Sequence, residues 1–336
     1  MKNTIIIGLL LVLVCIKAQS QSIIFSQFGN THLLNNPALT GNFSEKWSLI
    51  HVFRNQGSAF AKPYSSGYSA FENNSKIFKQ NIAFGLFFCN DFTAGTTLNT
   101  NALYVSMAIP VKIMPNIVLR YGILAGLVYK NTNLNKQTLP NQFDISVGYF
   151  NPSLPANEYF IDEFAIYPDI ATGLVGTYHK SGLSIELGGA IYQINKPVES
   201  FQSIQNKLEF KYNSHLKIEK NILSVYFIKS DIFSTITNNV SQLLYGLTFG
   251  VKNNSITNPN SYFAAIHVRD GWLQNIDACI VSVGFEINFW KFTFSNDLDI
   301  SGLRISDSKK YAVELMVGYT RPFTNLEKIT IPCNRF

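Results

Sequence analysis

Along most of this chain, apolar residues alternate with small or polar ones at a period of two. Near the C-terminus Tyr311, Val313, Leu315, Val317 and Tyr319 alternate with Ala312, Glu314, Met316, Gly318 and Thr320. Successive side chains of a strand point to opposite faces, so this segment has one apolar face and one small or polar face. The same division separates Val281, Val283, Phe285 and Ile287 from Ser282, Gly284 and Glu286, and it separates Trp290, Phe292 and Phe294 from Lys291, Thr293 and Ser295. It recurs where Tyr245, Leu247, Phe249 and Val251 oppose Gly246, Thr248 and Gly250, and again over 183–188 and 117–123. About 14 such segments can be marked, from 47–56 to 311–320, with the eighth and ninth at 207–218 and 223–234.

Alternation alone also fits a soluble sandwich, so the character of the two faces has to decide. A sandwich would bury the apolar face and leave Gly and Ala facing water, an unusual solvated surface. A membrane barrel turns the apolar face to lipid, carries aromatic residues at the headgroup levels, and points small and charged residues into a lumen. Tyr311 and Tyr319 end one apolar face with Glu314 between them on the other, which fits the barrel. Segment lengths agree, because a tilted membrane strand needs about 9 to 11 residues. The expected fold is therefore an all-β, transmembrane antiparallel β-barrel.

Loop lengths orient it. Short turns are expected at the periplasmic end and long loops outside. Tight joins at Lys180-Ser181-Gly182, around Lys220-Asn221 and at Phe289 follow even-numbered strands, whereas the Asn- and Pro-containing insertion 131–163 follows the fifth. The expected N-terminus is periplasmic.

Composition and the N-terminus change the picture in the same direction. Lys2 precedes an apolar run from Ile5 to Ile16 and then Ala18-Gln19-Ser20-Gln21, which reads as a signal peptide with small residues at −3 and −1. Acylation of Cys15 is the rival reading, and the large Val14 before it weighs against it. Only 14% of residues are charged, where about 25% is usual, while 46% are hydrophobic. No stretch after the leader is long and apolar enough for a membrane helix, so such a chain faces lipid through strands. The expected organisation is a signal peptide at 1–20, an entry segment at 21–46, a barrel at 47–321 and a tail at 322–336. A net charge of +6 is mild and scattered, and no nucleic-acid partner is indicated. Cys89, Cys279 and Cys333 show no paired spacing, and a role for Cys333 in packing or in an intermolecular link is left open.

Both ends of the chain resemble the PorP/SprF family of the type IX secretion system and its gliding machinery. Phe25-Ser26-Gln27-Phe28 followed by Asn35-Asn36-Pro37-Ala38-Leu39-Thr40-Gly41 is similar to that family's FSQ…NP-A…G opening. Phe53-Arg54-Asn55-Gln56 is similar to its YRNQ element, with Gly57 where an aromatic residue is common, and Pro63-Tyr64 and Ser69 follow as in a similar hairpin. Asp297-Leu298-Asp299-Ile300-Ser301-Gly302-Leu303-Arg304 with Glu314-Leu315 is similar to the family's penultimate hairpin, and Pro332-Cys333-Asn334-Arg335-Phe336 resembles its CPRF ending. The resemblance implies an outer-membrane barrel of a Gram-negative bacterium that works with other secretion components. It also implies retention of a secreted surface protein, such as an adhesin carrying a type IX C-terminal sorting domain. Phe25, Gln27, Asn36, Pro37, Gly41, Arg54, Asn55, Gln56, Asp297, Asp299, Arg304 and Glu314 are the candidate family-motif or partner-binding residues.

The residues themselves carry physical expectations. Asn36 before Pro37 favours an extended or turn conformation, and Gly41 permits positive φ, so the opening motif should be a structured entry. Arg54 should pair with a lumen carboxylate such as Glu72. Asp297 and Asp299 should lie as exposed charges at the lumen mouth, where loops and rim residues serve recognition. Ala, Gly and Ser dominate the inward faces, which fits a narrow or plugged interior better than a wide porin. His32, His51, His179, His215 and His267 lack metal-site spacing, and no nucleophile elbow or phosphate loop is present. Neither metal, cofactor nor catalysis is expected. A passive outer-membrane porin is the alternative function; a barrel enzyme using inward carboxylates is disfavoured because a lumen needs polar residues anyway.

Overall fold

The computed structural model describes residues 24–57, 64–77, 80–93, 98–132, 142–151, 153–154, 164–199, 206–223, 225–238, 240–253, 260–272, 275–300 and 311–322. The predicted signal peptide, Arg304 and Cys333 lie outside the described residues, as do Ser301 to Leu303 and most of the tail.

Fourteen antiparallel strands close into a barrel. In chain order they begin with β1 (Trp47–Gln56), β2 (Tyr64–Ile77), β3 (Gln80–Thr93), β4 (Leu98–Met114) and β5 (Ile117–Asn131). A small hairpin, β6 (Phe143–Asp144) and β7 (Tyr149–Phe150), interrupts the next connection and pairs only with itself. The wall continues with β8 (Phe164–Lys180), β9 (Leu183–Tyr192), β10 (Lys211–Ile222), β11 (Tyr226–Thr237) and β12 (Val240–Asn253). It ends with β13 (Asn260–Asp270), β14 (Ile276–Ile287), β15 (Trp290–Asp299) and β16 (Tyr311–Arg321). β1 pairs with β16, which removes both sheet edges and brings the first and last strands side by side.

Alternation sorts the side chains as the sequence pattern predicts. Leu315, 51% exposed, and Val317 face outward while Ala312, Glu314 and Met316 are buried inside. Leu247, Phe249, Val281 and Val283 likewise face outward, with Thr248 and Ser282 turned in. Where the short turns lie, Trp47 and Trp290 both meet Tyr319, with ring centroids 5.4 and 4.9 Å apart, an aromatic belt at one edge of the apolar band. Replacing Leu315 by lysine puts a charge on the lipid face. The expected cost is about 2–4 kcal/mol near the bilayer midplane, read as loss of the heat-modifiable, folded form in lipid.

The turns explain the strand edges. Ser181-Gly182 (φ 49° and 74°) and Asn288-Phe289 (φ 50° and 77°) are two-residue connections with both residues left-handed, the geometry that matches strand twist. The eighth and ninth barrel strands sit three or four residues later than the sequence pattern suggests. Lys207 instead bridges Val198 in the connecting loop, and the turn falls after Ile222, where Leu223 takes the positive φ.

Candidate functional site

Residues 24–46 form no strand. They run through the barrel interior as a plug, and their polar groups take partners from the wall. Two short 3-10 turns, His32–Leu34 and Pro37–Leu39, give the segment its shape. The extended conformation of Asn36 (φ −159°) follows from Pro37 after it.

Asn36 is fully buried and satisfies each polar position of its amide. Its Nδ2 donates to the carbonyls of Leu174 (3.2 Å) and Gly189 (3.1 Å), and its Oδ1 accepts from the Ala38 amide (2.9 Å). The wall makes room with glycines at Gly122 and Gly173, which face each other across β5 and β8. A Cβ on Gly122 would lie 2.3 Å from the backbone of Pro37 and Ala38, and one on Gly173 would lie 2.0 Å from Asn36 Oδ1. Gly41, at φ +63°, donates its amide to Glu72 (2.8 Å), whose other oxygen holds His32 at 2.8 Å. Burial by itself would lower the His32 pKa; the charge and hydrogen bond of Glu72 outweigh it and raise it above the ordinary imidazole value.

The other anchor is a buried ion cluster. The Glu314 carboxylate accepts the backbone amides of Ser26 (2.6 Å) and Gln27 (2.8 Å) and is also paired with Arg54. Arg54 bridges to Asp297 at 3.0 Å, and Arg269 reaches the same Asp297 oxygen at 2.9 Å. Ser26 Oγ donates to that oxygen as well (2.7 Å). The guanidinium fork matters here, because it places two N–H groups on two different carboxylates at once.

This arrangement corrects two expectations. Arg54 pairs with Glu314 and Asp297 rather than Glu72, because barrel closure sets Arg54 directly opposite Glu314 in the β1–β16 register. Asp297 is not an exposed rim charge: it is 2% exposed, covered by the plug and two arginines. Asp299, near the end of β15, is partly exposed. Phe25 is buried against Tyr68, with ring centroids 6.2 Å apart. Gln56 accepts from Arg54 at 3.1 Å, and Asn55 turns to the outer side of β1. Of the predicted residues, Gln27, Arg54, Asp297 and Glu314 therefore meet in one cluster, while Asn36, Pro37 and Gly41 serve the second anchor. Arg269 was missed in the sequence, although its inward parity on β13 marks it.

Above the plug, at the long-loop end, opens a cavity of 840 Å³. Ile24 and Leu34 of the plug line it, with Tyr64, Tyr104, Asp169 and Lys211 among the wall residues. Its polar groups are organised: Lys130 and Tyr167 hold Glu199 at 2.6 and 3.2 Å, and Tyr104 donates to Asp169 at 2.9 Å. A second cavity, of 210 Å³, lies toward the short-turn end and shares no lining residue with the first.

Comparison with known proteins gives a family match over residues 17–319, to the family described as type IX secretion system membrane protein PorP/SprF. No curated protein matches the chain. Among solved structures it is similar to the CymD monoaromatic hydrocarbon channel, at 10% identity and TM-score 0.52, covering 90% of this chain and 95% of that one. It is also similar to the Pseudomonas putida toluene transporter TodX, at 12% identity and TM-score 0.50, covering 88% and 94%. At such identities the likeness concerns the barrel fold.

Proposed function

Since the chain belongs to the PorP/SprF family of type IX secretion system membrane proteins, we propose that it retains a secreted protein at the cell surface, docked at the long-loop end of the plugged barrel. It is an outer-membrane protein of a Gram-negative bacterium and is associated with that secretion system. In this reading the N-terminus and short turns are periplasmic, the large cavity faces outward, and the partner is an adhesin-type protein with a type IX C-terminal sorting domain. The barrel binds and performs no catalysis.

The observation that carries the reading is the closed floor of an open cup. The plug occupies the lumen, which disfavours a passive porin, while an 840 Å³ cavity remains above it at the end where the long loops gather. Loops and pockets on a rigid scaffold are where recognition is usually placed. The hydrocarbon channels to which the fold is similar motivate the competing channel reading.

Deleting the gene should move at least one secreted surface protein from cells into the medium. Complementation with Tyr64→Ala, a half-exposed residue lining the cup, should restore the barrel but leave cell-bound partner reduced several-fold. A tag at the turn 145–148 should be reached by antibody on intact cells and one at Ser181-Gly182 should not. Full surface retention in the deletion, with solute uptake lost, would replace this reading by the channel.

A further inference from the structure

The smaller cavity has a chemistry of its own, independent of the retention reading. Three lysines, Lys217, Lys229 and Lys291, line it together with two carboxylates, Glu186 and Asp231. Both carboxylates are engaged: Glu186 accepts from the Asn42 amide and stands 3.5 Å from His215, and Asp231 stands 3.4 Å from Lys229 and 3.6 Å from His267. Glu286, opposite Lys291 in the β14–β15 register, accepts from Ser261. Lys291 itself bonds the neutral Asn30 of the plug at 3.0 Å and lies within electrostatic reach of Lys217 and Lys229. Among the described residues Lys217 forms no salt bridge or hydrogen bond, though Glu186 and Asp231 lie within its electrostatic reach.

One more polar atom in the same lining is buried without a hydrogen-bond partner, the Thr293 hydroxyl, whereas the Nε2 atoms of His215 and His267 face Glu186 and Asp231. Thr293 is 5% exposed. A buried polar group left unpaired is costly, and the Thr293 hydroxyl beside mutually repelling ammonium groups marks a place for a bound acceptor. The volume of 210 Å³ is ample, since one water needs only about 10–15 Å³ of such space.

We infer that this cavity binds a free oxyanion of phosphate size, held by Lys217, Lys229, Lys291 and the Thr293 hydroxyl. Such an ion supplies several acceptor oxygens to surplus donors and relieves the repulsion among the lysines. Because Gln27 and Asn30 of the plug also line the cavity, the ion bridges plug and wall. Lys217, Lys229, Lys291 and Thr293 line the site together with the plug inside the barrel, which assigns it to a soluble ion.

The test uses the full-length protein in detergent, titrated calorimetrically with inorganic phosphate at constant ionic strength. One saturable site is expected. Lys217→Met should weaken it at least tenfold and the nearly isosteric Thr293→Val several-fold, with Lys180→Ala on the turn unchanged. Thr293→Val keeps the test decisive if Lys217→Met fails to fold. Absence of a saturable site, or equal affinity in Thr293→Val and the parent, would overturn the assignment. Equal competition by a short-chain phosphatidylglycerol would overturn it too, by pointing to a lipid headgroup.

Discussion

Replacing Gly122 by leucine should unseat the plug and turn the closed barrel into a conducting one. The backbone of Pro37 and Ala38 already lies 2.3 Å from where the first side-chain carbon would stand. The plug cannot give way by a few tenths of an ångström there. Asn36 is fixed to the carbonyls of Leu174 and Gly189, and on the far side Thr40 Oγ1 bonds Ser106 and the Pro37 carbonyl. The wall at Gly122 is held by the β4 and β5 and the β5 and β8 ladders, so the segment that packs into it has to leave. Overpacking of a tight core costs about 1–3 kcal/mol when a side chain can shift, and more is expected where the obstacle is backbone. In planar bilayers the parent should be nearly silent and Gly122→Leu should show stable single-channel conductance, with residues 24–46 newly open to protease. Gly67→Ala is the control, because nothing lies within 4 Å of its added carbon. A silent Gly122→Leu barrel with a protected plug would mean the saddle is not what seats the segment.

Removing the Arg54 guanidinium should release the other end of the plug. Arg54→Ala leaves Glu314 and Asp297 buried in one cluster with Arg269 as the remaining nearby cation, and it deprives Ser26 Oγ of a donor at 2.7 Å. Breaking a buried pair by deleting one partner costs about 3–5 kcal/mol, because the charge left behind stays desolvated. Arg54→Lys keeps the charge but loses the planar fork, so it should recover only part of the loss. Glu314→Gln should fall between, since a neutral amide oxygen still accepts one of the two backbone amides of Ser26 and Gln27. The measurement is hydrogen exchange at those two amides together with unfolding in urea from lipid. Exchange at 25–30 should rise by orders of magnitude while the strand amides stay protected. If Arg54→Ala leaves these amides protected, the cluster stabilises the wall alone and the plug is held elsewhere.

Both experiments separate the plug from the barrel, and the sequence treats the two very differently. The barrel was legible because lipid on one side and a filled lumen on the other impose a two-residue period on every strand. Leu315 against Glu314, or Leu247 against Thr248, is a local statement that needs no knowledge of distant residues. Tight turns such as Asn288-Phe289 and the long insertion after β5 were readable for the same reason: turn length is a local property of the chain. Where local pattern is weak, around Lys207 and Lys220, the strand edges slid by three or four residues.

What tertiary structure alone decided is what fills the lumen and which charges meet there. Residues 24–46 carry no period, since each of their side chains is placed by a different strand of the wall, so the sequence marks them as an ordered entry without saying where they go. Gly122 and Gly173 read simply as small inward residues until the Asn36-Pro37 backbone is seen against them. The partner of Arg54 depends on closure: only when β1 pairs with β16 do residues 260 positions apart stand opposite each other. The family-like motifs at the two ends of the chain, Ser26-Gln27 and Arg54 at one and Asp297 and Glu314 at the other, thus form a single cluster, because a barrel has no edge and its first and last strands must be neighbours.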